Sequence, residues 1–212
     1  MNLQLWVKSD RLRRKDALAM HTPERCPWCG TDPLYVAYHD SEWGVPEWDG
    51  RALWEKLILD GFQAGLSWIT ILKKREAFRA AFAGFRPEIV ATWGETEVQR
   101  LLADAGIVRH RGKIESTIRA ARVYLKIEGR AGFAPWVWGF VNDMPVQNRL
   151  APGENPTQSA ASVALSRALK AEGFGFCGPT IVYAFMQATG LVNDHLVTCH
   201  RHVPVAAMER GA

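Results

Sequence analysis

Cysteine and histidine residues at the two ends of the chain have the side chains that a transition metal requires. The sequence of 212 residues contains only four cysteines. The two groups are Cys26, Cys29 and His39 near the N-terminus, and His195, Cys199, His200 and His202 near the C-terminus. Zinc prefers four tetrahedral nitrogen or sulfur ligands, and two thiolates with two imidazoles meet that preference. The sequence therefore predicts a zinc site that joins the two ends of the chain.

The spacing within these groups leaves part of the ligand set open. His195 and Cys199 are four residues apart, so on a helix both side chains project from one face. Spacing alone does not distinguish Cys26 with Cys29 from Cys26 with His39. A redox pair is an alternative for the CxxC motif, although such motifs accompany a βαβ pattern that this chain lacks. Ordinary core cysteines are the plainest alternative. Four protein ligands would leave no position for water, which favours a structural zinc.

A carboxylate is the next candidate for chemistry. On a helix capped by Asp49, a rotation of 100° per residue places Asp60 within about 20° of Leu53, while Glu55 and Lys56 are expected to point elsewhere. Asp60 is therefore expected on the buried side of the helix. A buried carboxylate must be paired or must serve a site. A structural role, as the partner of an internal hydroxyl or arginine, is the alternative.

The stretch LLADAGIVRHRGKIEST predicts a helical hairpin. One helix is expected to end at Gly106, and a second begins a few residues later, with free backbone N–H groups at its N-terminus. Anions bind at such helix termini, and Arg109, Arg111 and Lys113 add positive charge there. A DNA backbone phosphate is the expected ligand, and a solvated basic surface is the alternative. His110 is expected to pack or to face solvent.

These residues must be positioned by helices, because helical periodicity dominates from residue 49 onward and alternating β patterns are scarce. We therefore predict an all-α fold, with Ser67 beginning one helix and Asn193 or Asp194 capping the last. A hydrophobic fraction of 48% can fill the core of a single domain. Residues 25–203 are the predicted domain and 204–212 a C-terminal tail. Residues 1–24 are an extension, either disordered or a non-native start, with Met20 as a candidate true start.

Composition and motifs exclude several classes of protein. A formal net charge of +4 permits an acidic partner without requiring one. No apolar run approaches the roughly 20 residues of a membrane span, and no secretory signal is recognisable, so we expect a cytoplasmic protein. GFGFCG matches GxGxxG but follows a helix rather than a strand, so no nucleotide cofactor is expected. An iron–sulfur cluster would need four clustered cysteines.

Several motifs together resemble one family. YHDSEWGVP, GFQAGLSWITILKKRE, DAGIVRHRGKI and LVNDH are similar, in order, to the bacterial 3-methyladenine DNA glycosylase I family, a branch of the helix-hairpin-helix DNA glycosylases. The resemblance runs from about Arg25 to Cys199. It implies a helix-hairpin-helix glycosylase fold with a zinc-binding snap that joins the N- and C-terminal segments. It assigns the four zinc ligands to Cys26, His39, His195 and Cys199. Cys29 then becomes a spare thiol near the site, and Cys177 a core residue.

The resemblance also implies an activity. Members of the family flip 3-methyladenine out of double-stranded alkylated DNA and hydrolyse its N-glycosidic bond, leaving an abasic site. Asp60 takes the catalytic role, although the family pattern has Glu here, and Asp is shorter by about 1.5 Å. The implied base pocket consists of Tyr38, Trp68, Trp28, Trp43 and Gln63. The implied DNA contacts are Gly65 and Leu66, which enter the stack where the base has left, and Gly106, Arg109, Arg111 and Lys113 of the hairpin.

The charge of the lesion explains why such a pocket is selective. A purine methylated at N3 is cationic, so stacking on tryptophan contributes roughly 0.5 to 2 kcal/mol that neutral adenine does not gain. No motif places a lysine as a nucleophile, so we expect no strand cleavage through a Schiff base. We expect a monomer. The alternative function is a zinc-stabilised DNA-binding module without catalysis, in which Asp60 is merely structural.

Overall fold

The computed structural model describes residues 23–208, and the expectations for residues 1–22 and 209–212 lie outside the described range. The described residues form ten α-helices: α1 (Pro33–Ser41), α2 (Gly50–Gln63), α3 (Trp68–Ala81), α4 (Pro87–Val90), α5 (Glu95–Ala103), α6 (Arg111–Ala131), α7 (Phe133–Trp138), α8 (Ala160–Glu172), α9 (Pro179–Ala188) and α10 (His202–Ala206). Three short 3-10 helices cover Pro27–Cys29, Ala83–Phe85 and Gly139–Val141. The expectation of a mainly helical fold is confirmed.

Helix α2 is the central element of the core. Asp49 caps it as expected, since the Asp49 carboxylate accepts a hydrogen bond from the Ala52 amide at 2.7 Å. The helix packs against α3, α6, α7 and α9. Eight of its residues are buried, and from Leu57 to Phe62 the run is unbroken, so its second half is enclosed on all sides. Side chains from this half therefore reach either the core or an internal cavity.

A small sheet interrupts the helical pattern near the C-terminus. Strands β1 (Val146–Gln147) and β2 (Val192–Asn193) pair in parallel. The prediction that Asn193 or Asp194 caps the last helix is wrong, because Asn193 belongs to β2 and the last helix begins only at His202. Helix α10 also crosses the domain boundary predicted at residue 203, and its Val205 is buried.

No helix among residues 23–208 is long and apolar enough to cross a membrane.

The expected pair of helices around Gly106 is present as α5 and α6, joined by residues 104–110. The Gly106 amide donates to Asp104 Oδ1 at 2.7 Å. A Cβ atom at Gly106 would lie 2.9 Å from that oxygen and 3.1 Å from the Cβ of Ala77, so the connection leaves little room for a side chain there. Lys74 Nζ donates to the carbonyls of Ala105 and Gly106, each at 3.0 Å, which fixes the connection against α3.

Candidate active site

The four residues Cys26, His39, His195 and Cys199 form one buried cluster. Their ligand atoms all lie within 4.8 Å of one another. Cys199 Sγ is 3.5 Å from both His39 Nε2 and His195 Nδ1, and Cys26 Sγ is 3.7 Å from His195 Nδ1. Tetrahedral zinc with ordinary bond lengths requires neighbouring sulfur and nitrogen ligands to be about 3.5 Å apart. The arrangement therefore fits a four-coordinate zinc ion.

Groups around the cluster hold each ligand in the form that binds metal. Asp40 Oδ1 lies 2.7 Å from His39 Nδ1, which leaves His39 Nε2 facing the cluster. His195 Nε2 lies 3.0 Å from the Trp43 carbonyl, which leaves its Nδ1 facing inward. Arg25 in turn holds Asp40 with Nε and Nη2. Such outer contacts fix histidine tautomers and are typical of metal sites.

Backbone amides complete the surroundings of the two sulfur atoms. The Leu196 amide donates to Cys26 Sγ at 3.4 Å, and the Arg201 amide donates to Cys199 Sγ at 3.5 Å. The hydrogen bond between the two cysteines and burial raise the pKa of Cys26, whereas that same bond lowers the pKa of Cys199. A bound cation would favour the thiolate form of both cysteines.

The C-terminal pair reaches the cluster by a route that differs from the expectation. His195 and Cys199 do not lie on a helix, because residues 194–201 form an irregular segment with turns in its second half, between β2 and α10. This segment still brings Cys199 Sγ to 3.5 Å from His195 Nδ1, as a helix would bring two residues four positions apart together. Gly44 allows His195 to approach, since it adopts φ +82° and a Cβ there would lie 3.0 Å from His195 Nε2.

The two remaining cysteines lie outside the cluster. Cys29 is buried, and its thiol donates to the Cys26 carbonyl at 3.2 Å rather than facing the other ligands. Cys177 is buried in the core, with its thiol 3.6 Å from the Phe174 carbonyl. The CxxC motif is therefore divided between a candidate ligand and a neighbouring thiol.

A cavity of about 380 Å³ lies beside the cluster. This volume is in the range of small-molecule sites in proteins. Its wall includes all six residues assigned to base recognition by resemblance: Trp28, Tyr38, Trp43, Asp60, Gln63 and Trp68. Most of them are buried, but Trp28 is 37% exposed and stands at the solvent side of the cavity. The fold thus brings the sequence-predicted pocket residues from α1, α2, α3 and the N-terminal segment around one space.

Asp60 faces this cavity with one of its oxygens unpaired. Only 1% of the residue is exposed, and burial raises the pKa of its carboxyl group while the nearby Lys56 ammonium opposes that shift. Oδ1 accepts from Lys56 Nζ at 2.5 Å. Oδ2 is buried without a hydrogen-bond partner among residues 23–208, as is the indole Nε1 of Trp68. Both atoms are therefore available to bond with a water molecule or a ligand in the cavity.

Lys56 is a pocket residue that the sequence analysis placed wrongly. It was expected to point away from Asp60, yet it lines the cavity, and its ammonium lies 3.8 Å from the centre of the Trp68 ring. Asp60 follows Lys56 by four residues on α2, so the two side chains are about 40° apart around the helix and can meet. The charge and spacing of these residues could have revealed the pair.

A second carboxylate in the cavity wall was also missed. Asp194 is buried and accepts hydrogen bonds from Tyr183, Gln187 and Asn148 at distances of 2.6 to 2.8 Å. The sequence analysis considered Asp194 only as a helix cap. Three donors hold the Asp194 carboxylate in place. Asp194 and Asp60 line the same cavity, but unlike Asp60, Asp194 has hydrogen bonds to both of its oxygens.

The metal cluster and the cavity share a wall of aromatic rings. The Trp43 ring meets the His195 ring edge-to-face with 4.6 Å between centroids, and the Trp28 ring lies 5.3 Å from the His39 ring. Tyr38 precedes His39 on α1 and packs on Trp68 at 5.5 Å. Cys26 itself lines the cavity. A change at the cluster is therefore transmitted directly to the rings that form the pocket.

The turn after α2 stands close to the hairpin. Gly65 adopts φ +85°, which strongly favours glycine, and Leu66 is 43% exposed. Lys113 at the start of α6 donates to the carbonyls of Phe62 and Ala64, at 2.9 and 2.8 Å. Lys113 is 6% exposed, so the expectation that it contacts DNA does not fit the structure. It instead ties the hairpin to the end of α2, because the last carbonyls of that helix need donors.

The other basic residues of the hairpin are at the surface. Arg109 is exposed and makes no hydrogen bond or ion pair among residues 23–208. Arg111 is exposed and paired with Glu95 and Glu115. His110 caps α6, since its imidazole accepts a hydrogen bond from the Lys113 amide at 3.3 Å. The hairpin thus presents one unpaired arginine and one paired arginine beside the Leu66 turn.

Comparisons with known proteins give the family. Residues 28–202 match the model of a family described as methyladenine glycosylase. The chain belongs to the methyladenine glycosylase family. The resemblance inferred from the sequence motifs is therefore confirmed.

Individual relatives agree with this assignment. The chain is 57% identical over 178 residues to the DNA-3-methyladenine glycosylase 1 of Escherichia coli strain K12, covering 83% of this chain and 95% of the relative. A crystal structure of a 3-methyladenine DNA glycosylase I superimposes with a TM-score of 0.83 at 53% identity, covering 84% of this chain and all of the other. A tyrosine-to-phenylalanine variant of another such glycosylase, in complex with 3-methyladenine, gives a TM-score of 0.81 at 39% identity, with coverage of 84% and 97%.

Proposed function

We propose that this protein is a DNA repair glycosylase that excises 3-methyladenine from alkylated double-stranded DNA. The observation that carries the proposal is Asp60, a buried carboxylate with a free oxygen in a cavity walled by aromatic rings. A site of this kind suits a flat, positively charged ring. The names of the relatives, and the complex of one of them with 3-methyladenine, support the same substrate.

The chemistry follows from the charge of the lesion. A base methylated at N3 is a cation in DNA, so heterolysis of its N-glycosidic bond sends the bonding electrons to the base, which departs neutral. No protonation of the leaving group is needed. Asp60 would attract the cationic base and orient it, and Tyr38 and Trp68 would enclose its ring. Water would then attack the sugar and leave an abasic site. Without a lysine nucleophile in this scheme, no strand cleavage is expected.

Zinc is proposed as the structural metal of the Cys26, His39, His195 and Cys199 cluster. Support comes from the donor set, from spacings that fit a tetrahedral ion, and from the outer contacts that fix both histidines. When bound, zinc supplies cross-linking energy and charge neutralisation at the two thiolates. Four protein ligands leave it no open coordination position, so we assign it no part in the reaction.

The DNA contacts are proposed on the face that carries the Leu66 turn and the hairpin. Flipping a base costs a few kcal/mol, and Leu66 with Gly65 would fill the stack in its place. Gly106 shapes the helix-hairpin-helix connection, while Arg109 and Arg111 would meet backbone phosphates. Lys113 is left out because its ammonium is bonded within the protein. A single copy in the bacterial cytoplasm is the proposed working form, in keeping with a DNA substrate.

The decisive experiment is release of free bases from methylated duplex DNA by the purified, zinc-loaded protein. We expect release of 3-methyladenine and no release of normal adenine. Chromatography of the freed bases measures both. Abasic sites should accumulate without strand breaks until alkali is added. Tight binding to DNA with no free base would instead support the non-catalytic, zinc-stabilised DNA-binding module.

A further inference from the structure

Lys56 occupies the two contacts that a cationic base would use. Its ammonium lies 2.5 Å from Asp60 Oδ1 and 3.8 Å from the centre of the Trp68 ring. These are an ion pair with a buried carboxylate and a cation–π contact with the best aromatic acceptor. The side chain is 16% exposed, so the charge is largely removed from water. The protein thus carries an internal cation in its own candidate base site.

A bound cationic purine and the Lys56 ammonium are poorly compatible in these positions. One ring face of Trp68 cannot be covered by both a stacked base and an ammonium group at 3.8 Å. Two positive charges would also share the single negative charge of Asp60, and like charges at contact distance in a buried site repel strongly. Burial also lowers the pKa of Lys56, because it removes the ammonium group from solvent.

A second cavity provides a place to which the lysine can move. This cavity has a volume of about 290 Å³ and shares Tyr38, Lys56 and Trp68 with the first. Its wall carries the carboxylates of Glu42, Glu47 and Glu55 together with two arginines, Arg75 and Arg79. The arginines are ion-paired with Glu42 and Glu55, so Glu47 is the carboxylate of this wall with no ion pair among residues 23–208. Lysine has a flexible four-carbon stem, so its ammonium can change position while the backbone of α2 stays fixed. Lys56 therefore stands between the candidate base cavity and a second cavity whose wall includes the Glu47 carboxylate.

We propose that Lys56 is a specificity-determining residue that acts as an internal competitor for the cationic base, vacating Asp60 and Trp68 when the lesion enters. The inference rests on the proposed function, which supplies the cationic purine. In the free protein Lys56 keeps Asp60 paired. A neutral base that displaced it would leave the carboxylate unpaired, whereas a cationic base replaces the lost charge. Because any occupant must displace Lys56, it must bind Asp60 and Trp68 more favourably than the lysine does. A normal, neutral base does not meet this requirement.

The test uses Lys56→Met, which keeps an unbranched, flexible side chain one atom shorter than lysine and removes its charge. The probe is 3,9-dimethyladeninium, a permanent cation with a methyl group in place of the sugar, and 9-methyladenine is its neutral counterpart. Both are titrated by tryptophan fluorescence against the zinc-loaded wild-type protein and the variant. Lys126→Met is the matched control, because Lys126 is exposed on α6 and lines none of the cavities described above.

We expect Lys56→Met to bind the cationic probe about tenfold more tightly than wild type, as removal of a competing contact of this strength implies. Lys126→Met should match wild type. Equal or weaker binding by Lys56→Met would overturn the proposal, because it would mean that Lys56 stays in place and assists the base. Thermal unfolding verifies that the variant folds, and Lys56→Gln replaces it if it does not.

Base release by the wild-type protein separates this inference from the proposed function. If wild type releases no 3-methyladenine from methylated DNA but Lys56→Met binds the cation more tightly, the glycosylase proposal fails and the competition stands. If wild type releases the base and Lys56→Met gains no affinity, the competition fails and the glycosylase proposal stands.

Discussion

The metal cluster and the base cavity lie on two sides of one aromatic wall, and both are built from buried polar side chains. In the cluster, four ligand atoms face a common centre, and outer hydrogen bonds fix the ring orientation of both histidines. In the cavity, Asp60 Oδ2 and Trp68 Nε1 are buried without partners among the described residues, and Asp60 Oδ1 is held only by a mobile type of side chain, Lys56. The first arrangement suits a permanent ion, whereas the second suits an occupant that arrives and leaves.

The largest effect should come from breaking the cluster. Cys199→Ala removes one thiolate from a site whose metal-binding energy contributes to folding, so zinc content and thermal stability should both fall sharply. Metal analysis by mass spectrometry and thermal unfolding measure these changes. Because the rings of Trp28 and Trp43 pack on the ligand histidines, base release should fall with them.

Cys29→Ala is the matched control for this prediction. Cys29 is also buried and belongs to the same CxxC motif, but its thiol donates to the backbone carbonyl of Cys26 rather than facing the other ligand atoms. Zinc stoichiometry should remain at one per chain, with only a small loss of stability. Loss of zinc in Cys29→Ala together with retention in Cys199→Ala would reverse the assignment of the two cysteines.

The second prediction breaks the cavity while leaving the cluster intact. Asp60→Asn keeps the shape of the side chain and removes its charge, so the rate of 3-methyladenine release should fall by about 100-fold, equivalent to roughly 2.7 kcal/mol of transition-state stabilisation. Zinc content should be unchanged. Asp49→Asn makes the same change at the start of the same helix, where asparagine also serves as a cap, and should keep full activity. Release at the wild-type rate by Asp60→Asn would remove Asp60 from the mechanism.

The two sites also differ in what the sequence could predict. The candidate metal ligands could be predicted from residue types, because few side chains bind zinc, and the resemblance then selected His39 over Cys29. The prediction of a helix around His195 and Cys199 was wrong, because a spacing of four residues fits an irregular turn as well as a helix. Asp60 was expected to be buried from the helical period of α2. Lys56 was misplaced because only the apolar face of the helix was considered.

The third prediction compares the two basic residues of the hairpin that differ most in burial. Lys113→Met leaves the carbonyls of Phe62 and Ala64 without their donor, which should lower the free energy of unfolding by about 1 to 3 kcal/mol. Arg109→Met should leave stability unchanged and weaken DNA binding equally for all sequences. In DNA titrations, the slope of the logarithm of the binding constant against the logarithm of the salt concentration should be reduced by about one. Urea unfolding and DNA titrations at several salt concentrations distinguish the two residues, and a large stability loss in Arg109→Met would contradict this division.

Sequence alone could not separate these two residues. Both are cations near the start of a predicted helix, and the charge pattern is the same for each. Their burial depends on how α6 packs against the end of α2, which is a contact between segments about 50 positions apart in the chain. The hairpin itself was predictable, because Gly106 and the helical periods on either side of it are local signals.

The smallest effect should come from the turn between the cavity and the hairpin. Gly65→Ala forces a Cβ into a backbone conformation with φ +85°, which should cost about 1 kcal/mol of stability. Leu66→Ala removes an exposed side chain and should leave the unfolding temperature unchanged while reducing base release severalfold. Thermal unfolding and base release, measured on both variants, check the pair. A stability loss larger in Leu66→Ala than in Gly65→Ala would show that the leucine is a packing residue.

The position of the metal cluster in the chain has a mechanical consequence. Cys26 and Cys199 lie near the two ends of the described residues, and nearly the whole helical core is enclosed between them. With a metal bound, tension applied to the two ends of the chain would load helix α10, which follows Cys199, and then the metal–sulfur bonds. The helices between Cys26 and Cys199 would carry no load until those bonds opened.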